Sequence, residues 1–242
     1  MNTRDLDPRT AIVAKRLQGC ARVLAVTGGK GGIGKSMIAA LSALTSARKG
    51  LRVGLFDLDL TGPCSHMILG AECGFPAEKG GILPPEVAGI KLMSVAHFSG
   101  AQPAPLRGDD LSSAILELLC ITLWGDLDLL ILDMPPGIGD ATLDVLALAP
   151  RCEFLVVCTP SAVVQRTVAR TTQFLKDQQA NIVGVVENLS TGDTAETQAL
   201  AQDAGVPFLG AVPLDVALEQ ASGCAEPLAA TAAAAAVAKL DY

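Results

Sequence analysis

From residue 23 to about residue 210 the chain alternates two patterns. Short apolar runs read VLAVT (23–27), LRVGLFD (51–57), IKLMSV (90–95), LDLLILD (127–133), EFLVVCT (153–159), NIVGVVEN (181–188) and PFLGAV (207–212). Runs of this length and composition predict strands buried on both faces. Between them, the segment starting at Lys35 and the stretches DDLSSAILELLCITL, GDATLDVLALA, AVVQRTVARTTQFLKDQ and TAETQALAQDAG repeat their apolar residues every three or four positions, which predicts helices. Strand, helix and strand in succession make right-handed crossovers, so the pattern predicts an α/β fold: a mostly parallel sheet of about seven strands with helices on both faces. Residues 1–22 are expected to lead in as a helix, and residues 226–242, rich in alanine, to close the chain as another. The stretch 61–89 carries many Gly and Pro and no period, so it is expected to be an irregular insertion, the kind of long loop that is functional or mobile.

Composition narrows this picture. A chain of 242 residues, half of them apolar, can bury a sizeable core, and residues 1–242 are read as one domain. Aromatics are only 3%, which suits a parallel sheet under close-packed helices better than an antiparallel sandwich. The net charge of −7 argues against a surface that grips nucleic acid or anionic lipid without specificity. No apolar run reaches the roughly 18 residues of a membrane helix, and the first ten residues, MNTRDLDPRT, hold no apolar run of a secretory leader. Seven scattered cysteines, an odd number, are expected as free thiols in a cytoplasmic protein.

The chemistry begins at TGGKGGIGKSM (27–37), which fits two patterns. Gly29, Gly31 and Gly34 satisfy the dinucleotide fingerprint, with Asp57 placed to mimic its ribose-binding acid; Gly29, Gly34, Lys35 and Ser36 satisfy the P-loop. Nothing in a dinucleotide site requires Lys35 and Ser36, whereas in a P-loop the lysine reaches phosphate oxygens and the serine hydroxyl ligates Mg²⁺. The P-loop therefore explains more residues. Two strands end in acids, in FDLDLTGP and ILDMPPGIGD, at the sheet edge where open α/β folds bind ligands. Asp133 takes the Walker B position, suited to hold Mg²⁺ through water, and the Gly-Ile-Gly that follows can hinge a loop that senses the γ-phosphate. Asp57 and Asp59 alternate along an extended chain, so only one of them can serve an attacking water.

Together KGGIGKS, DLDLTGP and LDLLILDMPPGIGD resemble the deviant Walker A ATPases of the MinD/Mrp class, and TLWGDLDLLILDMPPG, VVENLS and GVPFLGAVPLD resemble its Mrp/ApbC iron–sulfur cluster carrier branch. The resemblance covers nearly the whole chain. It implies a P-loop NTPase that hydrolyses ATP with Mg²⁺ as a nucleotide-bridged homodimer. By that resemblance the loop Gly29, Lys30, Gly31, Gly32, Ile33, Gly34, Lys35, Ser36 and Met37 cradles the phosphates, and Ser36 and Asp133 serve the metal. Lys30 reaches into the partner's site, as an arginine finger does, and Asp59 positions water. Asn188, Pro213, Leu214 and Asp215 contact adenine. The family's cluster is held by a C-x-x-C shortly after the Asn-Leu-Ser segment, but here the chain runs NLSTGDTAETQAL, with no cysteine between Cys158 and Cys224. Cys64, after Gly-Pro beside the switch acids, is the remaining candidate ligand. Neither histidine, His66 nor His97, forms a ligand pattern with a third residue.

Three functions follow as expectations: iron–sulfur cluster carriage toward a client metalloprotein or scaffold, a MinD/ParA-like positioning ATPase, and an ATPase that matures a metalloenzyme while binding no cluster itself. The acidic balance and the non-amphipathic tail count against the second.

Overall fold

The computed structural model describes residues 7–99 and 109–242. Its strands are β1 (Val23–Thr27), β2 (Val53–Asp57), β3 (Glu86–Val87), β4 (Ile90–Ser94), β5 (Leu129–Asp133), β6 (Glu153–Cys158), β7 (Asn181–Ser190) and β8 (Phe208–Pro213). The helices are α1 (Pro8–Leu17), α2 (Lys35–Arg48), α3 (Ser65–Leu69), α4 (Ala96–Ser99), α5 (Asp109–Ile121), α6 (Asp140–Leu148), α7 (Ala162–Asp177), α8 (Ala195–Ala204), α9 (Ala217–Ala221), α10 (Ala225–Ala229) and α11 (Ala232–Val237).

All eight strands form one sheet in the order β3-β4-β2-β5-β1-β6-β7-β8. Every pairing is parallel except that of β3 with β4. In β1, β2 and β5 every position is buried, which requires cover on both faces and explains why they read as continuous apolar runs. One layer is built on α2, against which α3, α10 and α11 pack; α1, α5 and α6 pack on one another as a separate group. Small residues Ala39, Ala40, Ser42 and Ala43 let α2 lie close to the sheet, and all four are buried.

The sheet is the α/β architecture expected from the alternation, with all seven runs present as strands. The eighth strand, β3, is a two-residue edge too short to show a period. Within 61–89 the chain makes α3, which stops at Gly70 in a left-handed conformation. At the start, Asp7 caps α1 by accepting from the Arg9 amide, and Pro8 occupies the first turn. The lead-in helix expected over 1–22 thus covers 8–17, and residues 1–6 lie outside the described residues. The tail expected as one helix over 226–242 is instead broken into α10 and α11. Thr231 breaks it: its hydroxyl donates to the Leu228 carbonyl at 2.7 Å and accepts from the Ala234 amide at 3.1 Å, ending one turn and capping the next.

Trp124 anchors the core beneath the central strands. It is fully buried, its ring lies 5.9 Å from that of Phe56, and it crowds the space beside Gly54. Trp124→Ala is expected to destabilise the fold by about 3–5 kcal/mol in urea titrations, because the void beside Gly54 cannot close around a rigid strand; a loss below about 1 kcal/mol would show that the site collapses freely.

Candidate functional site

The central strand β1 delivers the loop 28–34 to the carboxyl edge of the sheet, and α2 begins at its end. Gly34 caps α2 with φ +84°, a left-handed conformation natural to glycine, and a side chain there would strike the Asn188 amide. Gly29 lies against α7 so closely that a Cβ would come within 2.5 Å of the Thr167 backbone. The loop is thus clamped on two sides where it runs into a fourteen-residue helix, whose first amides have no partner within the helix.

Lys35 is 7% exposed, and its Nζ donates to the Lys30 carbonyl at 3.3 Å. Burial lowers its pKa, opposed by the nearby charges of Asp133 and Asp59. A desolvated ammonium bonded to its own loop is arranged for an anion to complete. Lys30 itself is exposed, and among the described residues its side chain makes no ion pair.

Three acids meet the loop from neighbouring strands. Asp57 and Asp133 are partners in register at the ends of β2 and β5, and both are completely buried. Asp57 is held by backbone: it accepts from the amides of Asp59 (3.2 Å), Cys64 (2.9 Å) and Ser65 (3.0 Å). Asp133 Oδ2 accepts from the Ser65 hydroxyl at 3.1 Å, the Ser36 hydroxyl stands beside the carboxyl, and Oδ1 has no hydrogen-bond partner among the described residues. Burial raises the pKa of both acids, and the Asp57 charge adds to the rise at Asp133. Asp59 is half-buried, and its Oδ1 accepts from the Thr61 hydroxyl and from the amides of Thr61 and Gly62. The two aspartates of DLD therefore sit in different surroundings, one sealed in and one facing the loop.

An orphaned, buried carboxylate oxygen next to a serine hydroxyl is a hard-oxygen donor set, and it fits Mg²⁺. Ser65, which holds the other oxygen of Asp133, was invisible in the sequence; only the fold brings its hydroxyl to an acid 68 positions away. Met37 is half-buried against the core.

On the other side, Asn188 is buried and its Nδ2 donates to the Ile33 carbonyl at 2.9 Å, tying the end of β7 to the P-loop. The 213–215 segment is joined to it through the Leu214 amide, which donates to the Ser190 carbonyl at 3.0 Å. Asp215 is occupied: one carboxylate oxygen accepts from the Ala217 amide and the other from the Ala233 amide, at the starts of α9 and α11. The Leu214 side chain is exposed.

Cys64 lies with the phosphate residues rather than with another cysteine. Its thiol touches Ser36 and is pushed up to about 11, above all by burial, so without a metal it stands as a neutral thiol. Among the described residues no three His, Cys, Asp or Glu side chains come together as a metal site.

The family model described as ParA, NUBPL iron-transfer P-loop NTPase, matches residues 19–240. The chain belongs to this family. Relatives include the iron-sulfur cluster carrier protein of Mycobacterium tuberculosis, 37% identical over 225 residues, covering 86% of this chain and 59% of that protein. The protein of the same name from Bacillus subtilis is 34% identical over 204 residues, covering 79% and 58%. The chain spans about three-fifths of the length of these relatives. Among solved structures, the Archaeoglobus fulgidus nucleotide-binding protein in complex with ADP superposes with a TM-score of 0.75 at 28% identity, over 90% of this chain and 92% of that one. The Pyrococcus furiosus cell division ATPase MinD shares the fold, with a TM-score of 0.66 at 20% identity over 90% and 96%. No helix among the described residues is long and apolar enough to cross a membrane.

The buried acid pair sets a pH dependence. Raised carboxyl pKa values mean that the folded protein holds a proton longer than the unfolded chain does, so this contribution is full below about pH 4 and is lost as pH rises through the elevated values. Metal-free protein is expected to lose thermal stability between weakly acidic and neutral pH, and Asp133→Asn, which removes the repulsion, to flatten that slope. Melting curves in chelator across this range check it; an unchanged slope in the variant would place the titration elsewhere.

Proposed function

We propose that this chain binds and hydrolyses ATP with Mg²⁺ as a nucleotide-bridged homodimer, and that it uses this cycle in iron–sulfur cluster carriage or metallocentre assembly for a client protein. The observation that carries the reading is the buried Lys35 ammonium, tied to its own loop beside the unpartnered Asp133 oxygen and the Ser36 hydroxyl. A triphosphate chain carrying Mg²⁺ would answer all three at once, its oxygens at the ammonium and the cation at the hydroxyl and, through water, at the carboxylate oxygen.

In this reading Lys35 and the amides of residues 29–37 hold the phosphates, and the positive end of α2 adds to the field. Ser36, with Asp133 behind a water, would hold Mg²⁺, which neutralises charge on the phosphate oxygens. Asp59 orients the attacking water. Asp57, whose carboxyl is committed to three amides, shapes the turn that carries Asp59. Lys30, exposed at the rim, serves the neighbouring copy's site. Asn188, Pro213, Leu214 and Asp215 form the adenine side.

The lack of any cysteine between Cys158 and Cys224 favours one form of this function: the isolated chain holds no stable cluster and passes the effect of hydrolysis to a partner's metallocentre through its switch loops.

Lys35→Ala is expected to lower ATP turnover at least about 100-fold. Lys30→Ala should bind Mg-ATP but hydrolyse it poorly, and mixing it with Lys35→Ala should restore part of the activity, since one site of the mixed dimer is then intact; no rescue at any ratio would make Lys30 an in-cis residue. After anaerobic incubation with iron and sulfide and then desalting, iron is expected near background. Stoichiometric iron and sulfide that vanish in Cys64→Ser would instead make this chain a carrier with a relocated site.

A further inference from the structure

Glu187 is a buried carboxyl group to which the nucleotide chemistry assigns nothing. It is 1% exposed near the end of β7. Its Oε1 accepts from the Ser190 hydroxyl at 2.6 Å, and its Oε2 accepts from the Thr197 hydroxyl at 2.5 Å. Thr197 is itself fully buried on α8. No lysine or arginine forms an ion pair with Glu187 among the described residues. A carboxyl placed in the core and answered, among the described residues, by two hydroxyls is costly to retain, so its geometry calls for a reason.

The backbone between Glu187 and Ser190 supplies one. The register of β7 with β8 breaks between these two residues, and Leu189 takes a φ of +57°, a conformation that non-glycine residues seldom adopt. Bulges beside functional sites re-aim a side chain. This bulge turns the Asn188 amide onto the Ile33 carbonyl of the P-loop and presents the Ser190 carbonyl to the Leu214 amide. The Ser190 hydroxyl also accepts from the Gly192 amide at 3.3 Å, so the loop beyond the strand hangs from the same group. The carboxyl of Glu187 spans the bulge from one side while Thr197 fixes it to α8.

We propose that Glu187 is a positioning residue for nucleotide binding: its carboxyl, clasped by Ser190 and Thr197, holds the bulge that ties the P-loop to the 213–215 segment. It touches no nucleotide and acts through Asn188 and Ser190. The assignment rests on the nucleotide-binding reading above.

Titration of the full chain with Mg-ATP tests it by calorimetry, with binding stoichiometry and a melting curve showing that each variant is folded. Glu187→Ala is expected to weaken Mg-ATP about tenfold, since two buried hydroxyls lose their acceptor and the strained bulge relaxes. Glu187→Gln keeps one acceptor and can donate to the other hydroxyl, so it should stay within about twofold of the parent. In an Asn188→Ala background the further change Glu187→Ala should cost clearly less than its effect of about tenfold in the parent, because one of the two residues it acts through is gone. Effects that multiply in full would overturn the proposal, as would a folded Glu187→Ala that binds Mg-ATP like the parent. Should Glu187→Ala fail to fold, Ser190→Ala takes its place, with a several-fold loss expected and parental affinity counting against the assignment. A parental chain that binds no Mg-ATP would sink the nucleotide reading and this inference together; a parent that binds while the variants behave alike sinks this inference alone.

Discussion

Two buried carboxyls face each other at the ends of β2 and β5, and the functional edge is organised around that fact. Asp57 and Asp133 are neighbours in register with no exposure to water, so full ionisation of both is unfavourable without positive charge nearby. The surroundings answer each acid differently. Three backbone amides quiet Asp57, and a serine hydroxyl and the nearby Lys35 partly compensate Asp133, leaving one oxygen bare. The asymmetry separates the two acids: one shapes the chain, while the other would, in the proposed function, take a cation.

That pair also links structure to ligand. The amides that hold Asp57 belong to Asp59, Cys64 and Ser65, so the whole turn between β2 and α3 is wound around one side chain. Since Ser65 also bonds Asp133, a change of charge at either acid is felt along the segment that carries Asp59. A cation and phosphates arriving at Lys35 and Asp133 therefore alter the forces on the same turn that would aim a water.

Much of this was legible in the sequence, for a physical reason. Strands covered on both faces must be apolar throughout, so the seven long runs announced themselves, and the Gly-rich loop with Lys35 and Ser36 is written in consecutive residues. What escaped notice depends on distance in the chain or on brevity. β3, α4 and α9 are two to five residues long and show no period. The break in the alanine-rich tail comes from one threonine hydroxyl whose capping role the composition masked. Ser65 and Thr167 carry no motif, because each is defined by a partner from another element, and Glu187 lies in VVENLS with no sign there of its partner on α8. Asp215, which the resemblance places beside the base, also accepts from two helix starts, a structural task no motif announces.

The end of α3 meets the α9–α10 turn with no side chain between them. The Gly223 amide donates to the Ile68 carbonyl at 3.0 Å, and any Cβ on Gly70, at φ +70°, would collide with the Gly223 carbonyl. Backbone pressed directly on backbone behaves as a stiff strut, because there are no rotamers to absorb a displacement. A shift of α3 away from the acid pair must then either carry the α9–α10 turn with it or break that hydrogen bond, so the carboxyl-terminal helices are geared to the turn at Asp57 although more than 150 residues separate them in sequence.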